Sequence, residues 1–389
     1  MSTLGPDLVL APGTPRSDGA RLDPEDRPRR LARRLPDAGL ELGLSVVAAL
    51  GITVVLFTIL VGSVPPVGTF VVALIVFLVV YGVVSRLRHG PFVMKDRLAA
   101  VYVWVGGALA LFPLAQIIWT VTAKGAPVVL DHFPKFLVND SANAGPLTPV
   151  WQSGVGHAIV GTVEQVGIAT LLTVPIATLS ALYLSESDSP LSGFIRTMVN
   201  AMMGTPSIIA GLFVYLFWVQ PRGVSGYSGF AAAIALGILM LPLMIRTAEE
   251  VIRVVPGSLR EAGHALGAPN WRVSLRIVLP TVRTGVITAL ILGVALAVGE
   301  TAPTLFTAHG SAHYNWNPFQ GNQANLPLQI FANIESFSPN FVREGYGAAF
   351  VLIFMVLSLF VVARFIGSST PGRRRVHLRR RRAKEVVVS

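Results

Sequence analysis

The sequence predicts an all-α, polytopic membrane protein with about eight transmembrane helices. Hydrophobic residues make up 52% of the 389 and charged residues only 13%, about half the charged share of a soluble domain. The apolar residues lie in long blocks and are not interleaved with polar ones. The blocks run near 41–62, 67–85, 98–122, 161–184, 197–219, 229–246, 284–308 and 345–363. Each approaches the roughly 20 residues that a helix needs to cross about 30 Å of hydrocarbon.

The blocks divide the chain. Residues 1–40 are polar and rich in Pro, Asp and Arg, with no early apolar stretch of the kind a cleaved signal carries. They have the composition of a disordered tail. Residues 41–97 hold an extra hairpin that reverses at Val64-Pro65-Pro66, followed by a short joint at 86–97. Residues 98–366 hold six spans, two longer loops near 123–155 and 309–344, and a third loop at 247–283. Residues 367–389 form a basic tail.

Orientation follows from charge. With the N-terminus taken as cytoplasmic, 27 of the 31 Lys and Arg fall on the cytoplasmic side, and only Lys124, Lys135, Arg222 and Arg343 fall outside. Lys and Arg are retained on the cytoplasmic face during insertion, so both termini and 247–283 are expected inside, with 123–153 and 309–344 outside. The net charge of +11 then reflects topology and attraction to anionic lipid. The Arg373–Arg382 cluster reads as a juxtamembrane anchor, and no nucleic-acid partner is expected.

Several chemistries are excluded. Without cysteine there are no disulfides, thiolate metal ligands or thiol nucleophiles. The seven histidines show no H-E-x-x-H spacing, and no metal or other cofactor is expected. No G-x(4)-G-K-[ST] loop is present, so the chain lacks the usual phosphate nest for ATP. No G-x-S-x-G elbow occurs either.

The loop at 247–283 carries the most specific pattern. It contains Pro256-Gly257-Ser258-Leu259-Arg260-Glu261-Ala262-Gly263-His264-Ala265-Leu266-Gly267. Ser258 and Glu261 have capping-box spacing, and Gly267 suits the left-handed residue that closes a helix. Leu259, Ala262 and Leu266 fall on one face at i, i+3 and i+7. A helix of about two turns is too short to be stable alone. On helix physics it is either a capped connector or a segment that lies in a partner's groove. A second helix start follows at Ala268-Pro269-Asn270-Trp271-Arg272, then Ile277-Val278-Leu279-Pro280. His264 reads as an exposed loop histidine and Trp271 as an interfacial or docking aromatic.

Residues Glu261 to Pro280 resemble E-A-A-x(3)-G-x(9)-I-x-L-P, the coupling loop of binding-protein-dependent ABC importer permeases. Glu261, Ala262, Gly267, Ile277, Leu279 and Pro280 match, while Gly263 stands where the pattern has Ala. Gly299-Glu300-Thr301-Ala302-Pro303 with Leu305-Phe306-Thr307-Ala308 is similar to the PstA-like permease subunits of phosphate importers. Gly204-Thr205-Pro206-Ser207-Ile208, Asn325-Leu326-Pro327 and Leu182-Tyr183-Leu184-Ser185-Glu186 add to that likeness. The resemblance covers about 98–366 and implies a type I ABC importer permease core in a bacterial inner membrane. It further implies inorganic phosphate as substrate, a second permease, separate ATPase subunits and an extracytoplasmic phosphate-binding protein as partners, and no enzymatic activity in this chain. Other readings are a permease for another oxyanion, or a secondary transporter with inverted repeats.

Glu164 and Glu300 interrupt predicted spans, and intramembrane carboxylates default to functional candidates. With a rise of about 1.5 Å per residue, both lie roughly 26–30 Å from the cytoplasmic ends of their helices. Glu300 either gates the pathway or hydrogen-bonds between helices. Glu164 either borders the pathway or is solvated near the surface. Thr301 is placed to cap a helix restarting beside Pro303. Arg246 and Arg283 flank the loop, either as snorkelling anchors or as guides for the released anion.

Overall fold

The computed structural model describes residues 38–60, 66–187 and 189–368. The tails expected at 1–40 and 367–389, with the Arg373–Arg382 cluster, fall almost wholly outside those residues, as does most of the Val64-Pro65-Pro66 turn. Among the described residues there is no named strand, and eight helices are long and apolar enough to cross a membrane. The all-α polytopic fold is therefore as expected. The chain divides into two compact units, Met1–Phe112 and Pro113–Ser389.

In the first unit, α1 (Ala38–Leu60) and α2 (Pro66–His89) form a packed hairpin, and α3 (Pro91–Asp131) begins. Glu41 is buried near the start of α1. Its carboxylate accepts from Arg97 Nη1 at 2.6 Å and Arg88 Nη1 at 3.3 Å. A buried carboxylate left without such partners would be strongly destabilising.

The second unit takes in the rest of α3, α4 (Lys135–Val138), α5 (Gly156–Glu186), α6 (Pro190–Met203) and α7 (Ser207–Val214). It continues with α8 (Gly229–Arg253), α9 (Gly257–Ala265), α10 (Asn270–Val273), α11 (Leu279–Val298), α12 (Ala302–Thr307), α13 (Leu326–Ile334) and α14 (Pro339–Ser368). Its centre is the α5–α8 pair. Lipid tails give helices no hydrophobic reason to associate, so association depends on small residues that admit close backbone approach. Ala169 and Ala177 of α5 meet Ala233, Leu236 and Met240 of α8 in one buried cluster. A Cβ on Gly237 would lie 3.1 Å from Thr173 Cγ2.

Two predicted spans are broken. The block at 197–219 is not one helix: α6 ends at Met203 and α7 starts at Ser207, with Gly204-Thr205-Pro206 between them. Pro206 has no N–H and disfavours helical backbone at Thr205. α7 then passes through a π-helical turn at Tyr215–Val219 into a 3-10 segment ending at Gly226. The block at 284–308 is likewise divided. α11 stops at Val298, and α12 restarts at Ala302 with Pro303 in its first turn. The two restarted segments, α7 and α12, pack on each other. A Cβ on Gly211 would sit only 2.6 Å from Pro303 Cα, so the approach requires glycine.

At the end of the unit opposite α9, the two loops expected outside interlock. Ser141 N donates to Ala312 O at 3.1 Å, the Tyr314 hydroxyl to Val138 O, and Ser338 Oγ to Pro146 O at 2.9 Å. Burial, and secondarily the nearby Asp140 carboxylate, raise the Tyr314 phenol above its usual range, which favours the protonated donor this contact needs.

Candidate functional site

α9 is preset by Pro256, which holds φ −58° and ψ 141° at the N-cap. The helix consequently begins at Gly257, two residues before the Leu259 start that a Ser258 capping box would give. Ser258 lies inside the first turn and no side chain caps the helix. The Ser258–Glu261 capping box is thus not formed. The closure is as expected: Gly267 has φ 75°, and its N–H donates to His264 O at 2.8 Å.

Leu259, Ala262 and Leu266 are exposed, Leu266 at 88% and Leu259 at 40%, as is Glu261. Gly263 points the other way and is buried. A Cβ there would meet Ile277 Cδ1 at 2.8 Å and Val273 Cγ2 at 3.0 Å. Ile277 and Leu279 pack into the cluster formed by Val273, Val278, Ile252 and Val255. Leu279 N–H reaches back five residues to Ser274 O, making a π-helical turn ahead of Pro280. Such a turn absorbs the register change a proline without an N–H imposes. The membrane helix therefore begins near Asn270, well before residue 284.

Glu300 lies at the α11–α12 break and faces a cavity of about 360 Å³. Met202, Met203, Thr205 and Ser207 line it from the α6–α7 break, Leu239, Pro242 and Leu243 from α8, and Leu296 from α11. Ser207, the first residue of α7, lines the same cavity as Glu300. Thr301 occupies the N-cap position of α12, but its side chain makes no cap bond; instead its carbonyl accepts from Thr304 Oγ1 at 2.9 Å. The expected side-chain cap is absent because the threonine backbone is already helical, at φ −103° and ψ −47°.

The other candidates lie elsewhere. Glu164 does not line the Glu300 cavity; it accepts from Gln323 Nε2. Its neighbour Gln165 is fully buried, donating to Gln323 Oε1 at 3.2 Å and accepting from Asn325 Nδ2 at 2.8 Å. Arg246 is paired on its own helix with Glu250 at 3.1 Å and Glu249 at 3.6 Å. Arg283 is exposed on α11.

Residues 173–369 match the family described as the binding-protein-dependent transport system inner membrane component. The phosphate transport system permease protein PstA 1 of Mycobacterium tuberculosis is 36% identical over 73% of this chain and 91% of its own length. PstA of Pasteurella multocida is 32% identical over 70% of this chain and 94% of that protein. The probable PstA of Methanocaldococcus jannaschii is 32% identical over 72% and 97%. Among solved structures, an inward-facing MetNI methionine ABC transporter aligns at TM-score 0.43 and 20% identity, over 55% of this chain and 93% of that one.

The chain belongs to the binding-protein-dependent transport permease family.

α9 with its flanking turns carries the residues that resemble the E-A-A pattern. The matched positions sort by face, Gly263 inward and Glu261 and Ala262 outward. Sequence reasoning missed the charged network beneath α9. Glu249 is buried, accepting from Arg253 at 2.8 Å and Arg196 at 3.1 Å. Its signal was its position one turn from Ile245 and from Ile252, on the buried face of α8. Arg260 Nε binds both oxygens of Glu186, at 3.0 and 3.3 Å. No local pattern announces that pair, because the partners are 74 residues apart.

The inward face of α9 yields a test. Gly263→Ala should be accepted, because the nearest atom met, Ile277 Cδ1, is the far end of a flexible side chain and the helix gains up to about 1 kcal/mol in propensity. Gly263→Leu should overpack and cost about 1–3 kcal/mol. Thermal unfolding in detergent checks this, with the Ala variant at or above the wild-type midpoint and the Leu variant below it.

Proposed function

We propose that this chain is one permease subunit of an ATP-driven importer of inorganic phosphate in the inner membrane. It forms half of the pathway together with a second permease. Two ATPase subunits power the complex, and an extracytoplasmic phosphate-binding protein delivers the anion. Phosphate as substrate is supported by the names of relatives matched over about nine-tenths of their length. Energy supply by a separate chain is supported by one observation above others: α9 turns Gly263 into its own body and leaves Leu259, Ala262 and Leu266 bare. In a cytoplasmic loop, an apolar face held outward calls for a groove on a partner. Glu261 stands beside that face as a charged contact.

Both termini and residues 247–283 are cytoplasmic in this reading, and the interlocked loops at the opposite end face outward to receive the binding protein. Glu300 gates the pathway. A carboxylate repels phosphate, so its task is to shape the cavity it shares with Ser207 and not to bind the anion. Thr301 orients the break. Glu164, engaged by Gln323, serves the outer loop. The ion pairs of Arg246 favour anchoring over a direct hold on phosphate, and Arg283 is read as an anchor in the same way.

Orientation can be checked cleanly because the chain has no cysteine. A cysteine at position 265 should react with an impermeant thiol reagent only from the cytoplasmic face, and one at 320 only from outside.

Glu300→Gln should leave membrane abundance near normal and lower phosphate uptake by about tenfold or more. Uptake at wild-type rate would remove Glu300 from the mechanism, and loss of the protein would assign it to assembly.

Gly267→Val forces a β-branched residue to a φ of 75°, where its Cβ clashes with backbone. The variant should insert normally, since insertion depends on the spans. Uptake and substrate-stimulated ATP hydrolysis should both collapse in proteoliposomes with the cognate partners. Normal coupling at normal abundance would reduce the loop to a connector.

A further inference from the structure

α9 is nine residues long and buries only Gly263. A helix so short does not hold its own orientation. Its inward contact at Gly263 is with Val273 and Ile277, which belong to the connector that follows it in the chain. A second contact reaches a distant element. Arg260 is about four-fifths buried, as is Glu186. Its guanidinium donates from Nε to both Glu186 oxygens, from Nη1 to Val255 O at 2.6 Å and from Nη2 to Ile252 O at 3.3 Å. It thus ties α9 at once to the C-terminal end of α8 and to the last residue of α5. A guanidinium engaged on several edges resists tilting, because its planar fork fixes direction as well as distance.

α5 is 31 residues long, about 46 Å at 1.5 Å per residue. Toward its other end, Thr162 Oγ1 accepts from Leu326 N at 2.8 Å, and Gln165 bonds Gln323 and Asn325. One helix therefore joins the coupling helix to the loop that leads into α13.

We propose that Arg260 is a positioning residue of the transport cycle: through Glu186 it converts displacement of α9 into displacement of α5, and so of the Gln165 clamp on residues 323–325. The proposal rests on the reading of α9 as the surface that docks an ATPase. Arg260 is not itself a docking contact; it is the link behind the dock. Without the fork, α9 stays seated on its partner while α5 no longer follows.

The test uses the reconstituted complex with Arg260→Glu, Glu186→Arg and the double variant, together with Arg260→Lys. Three quantities are measured: ATPase subunits retained on purification, ATP hydrolysed, and phosphate moved per ATP. Each charge-reversal single variant should keep the ATPase and hydrolyse ATP while transport per ATP falls about tenfold, within the range of ordinary coupling energies. The double variant should recover at least about threefold over either single, as an interacting pair does. Arg260→Lys restores the charge but not the fork, so it should fall between wild type and Arg260→Glu.

Wild-type transport per ATP in the single variants overturns the proposal. If they fail to accumulate, wild-type transport per ATP in Arg260→Lys overturns it instead. Loss of the ATPase from the single variants without recovery in the double also overturns it, by making Arg260 part of the dock. A separate arm guards the underlying reading. A cysteine at position 266 in otherwise wild-type protein should cross-link to the ATPase, and failure there would sink the docking assignment itself, whatever Arg260 does.

Discussion

Backbone polar groups in a bilayer have no water to satisfy them, so a helix can break only where protein covers the break or lines a cavity with it. That constraint organises this structure. The breaks at Gly204-Thr205-Pro206 and at Gly299-Glu300-Thr301 contribute Thr205 and Glu300 to one cavity, and Pro242 of the unbroken α8 borders the same space. Proline at 242 leaves one helical carbonyl without its N–H partner. Three irregularities that would each be expensive against lipid are thus gathered where polar side chains can serve them. Ser207 and Glu300 both line that space. The restarted helices α7 and α12 then close on one another through Gly211 and Pro303, which commits the two breaks to a shared location.

Around this, regular packing supplies rigidity. α5 and α8 meet through alanine and glycine because close approach is what dispersion between helices requires in lipid. Both ends of α5 are fixed by polar side chains instead. Arg196 donates to Leu184 O at 3.0 Å, and Arg260 grips Glu186, while Thr162 and Gln165 hold the segment before α13. The arrangement is a stiff, close-packed middle with directional hydrogen bonds at its extremities. A body of that kind moves as a unit.

The charges at the α9 end follow the same logic. Glu249 is buried among arginines of α6 and α8, and charge-assisted bonds repay its desolvation only when several donors converge. Those donors come from two helices, Arg196 from α6 and Arg246 and Arg253 from α8. They knit α6 and α8 together below α9.

How much of this was legible in the sequence differs by scale. The number of spans, their type and the loop pattern from Glu261 to Pro280 were readable because hydrophobic length and short-range motif are local quantities. So was the left-handed turn at Gly267, which depends on one residue's φ. The break at 204–206 was passed over as part of a continuous span, whereas a restart at Thr301 beside Pro303 was expected and is found. Proline and glycine occur inside unbroken membrane helices here too, at Pro113 and Pro127 in α3 and Pro175 in α5, so their presence alone does not decide. The capping box at Ser258 failed because Pro256 set the helix start two residues early. What the sequence determined by itself was the membrane fold, its eight spans and the permease family, since those rest on composition and on contiguous residues. Only the tertiary structure decided that Glu300 shares a cavity with Ser207, that Glu164 accepts from Gln323 and that Arg260 holds Glu186. The two hydrogen-bonded pairs are 159 and 74 residues apart, and a hydrogen bond at that separation exists only once packing has fixed both ends.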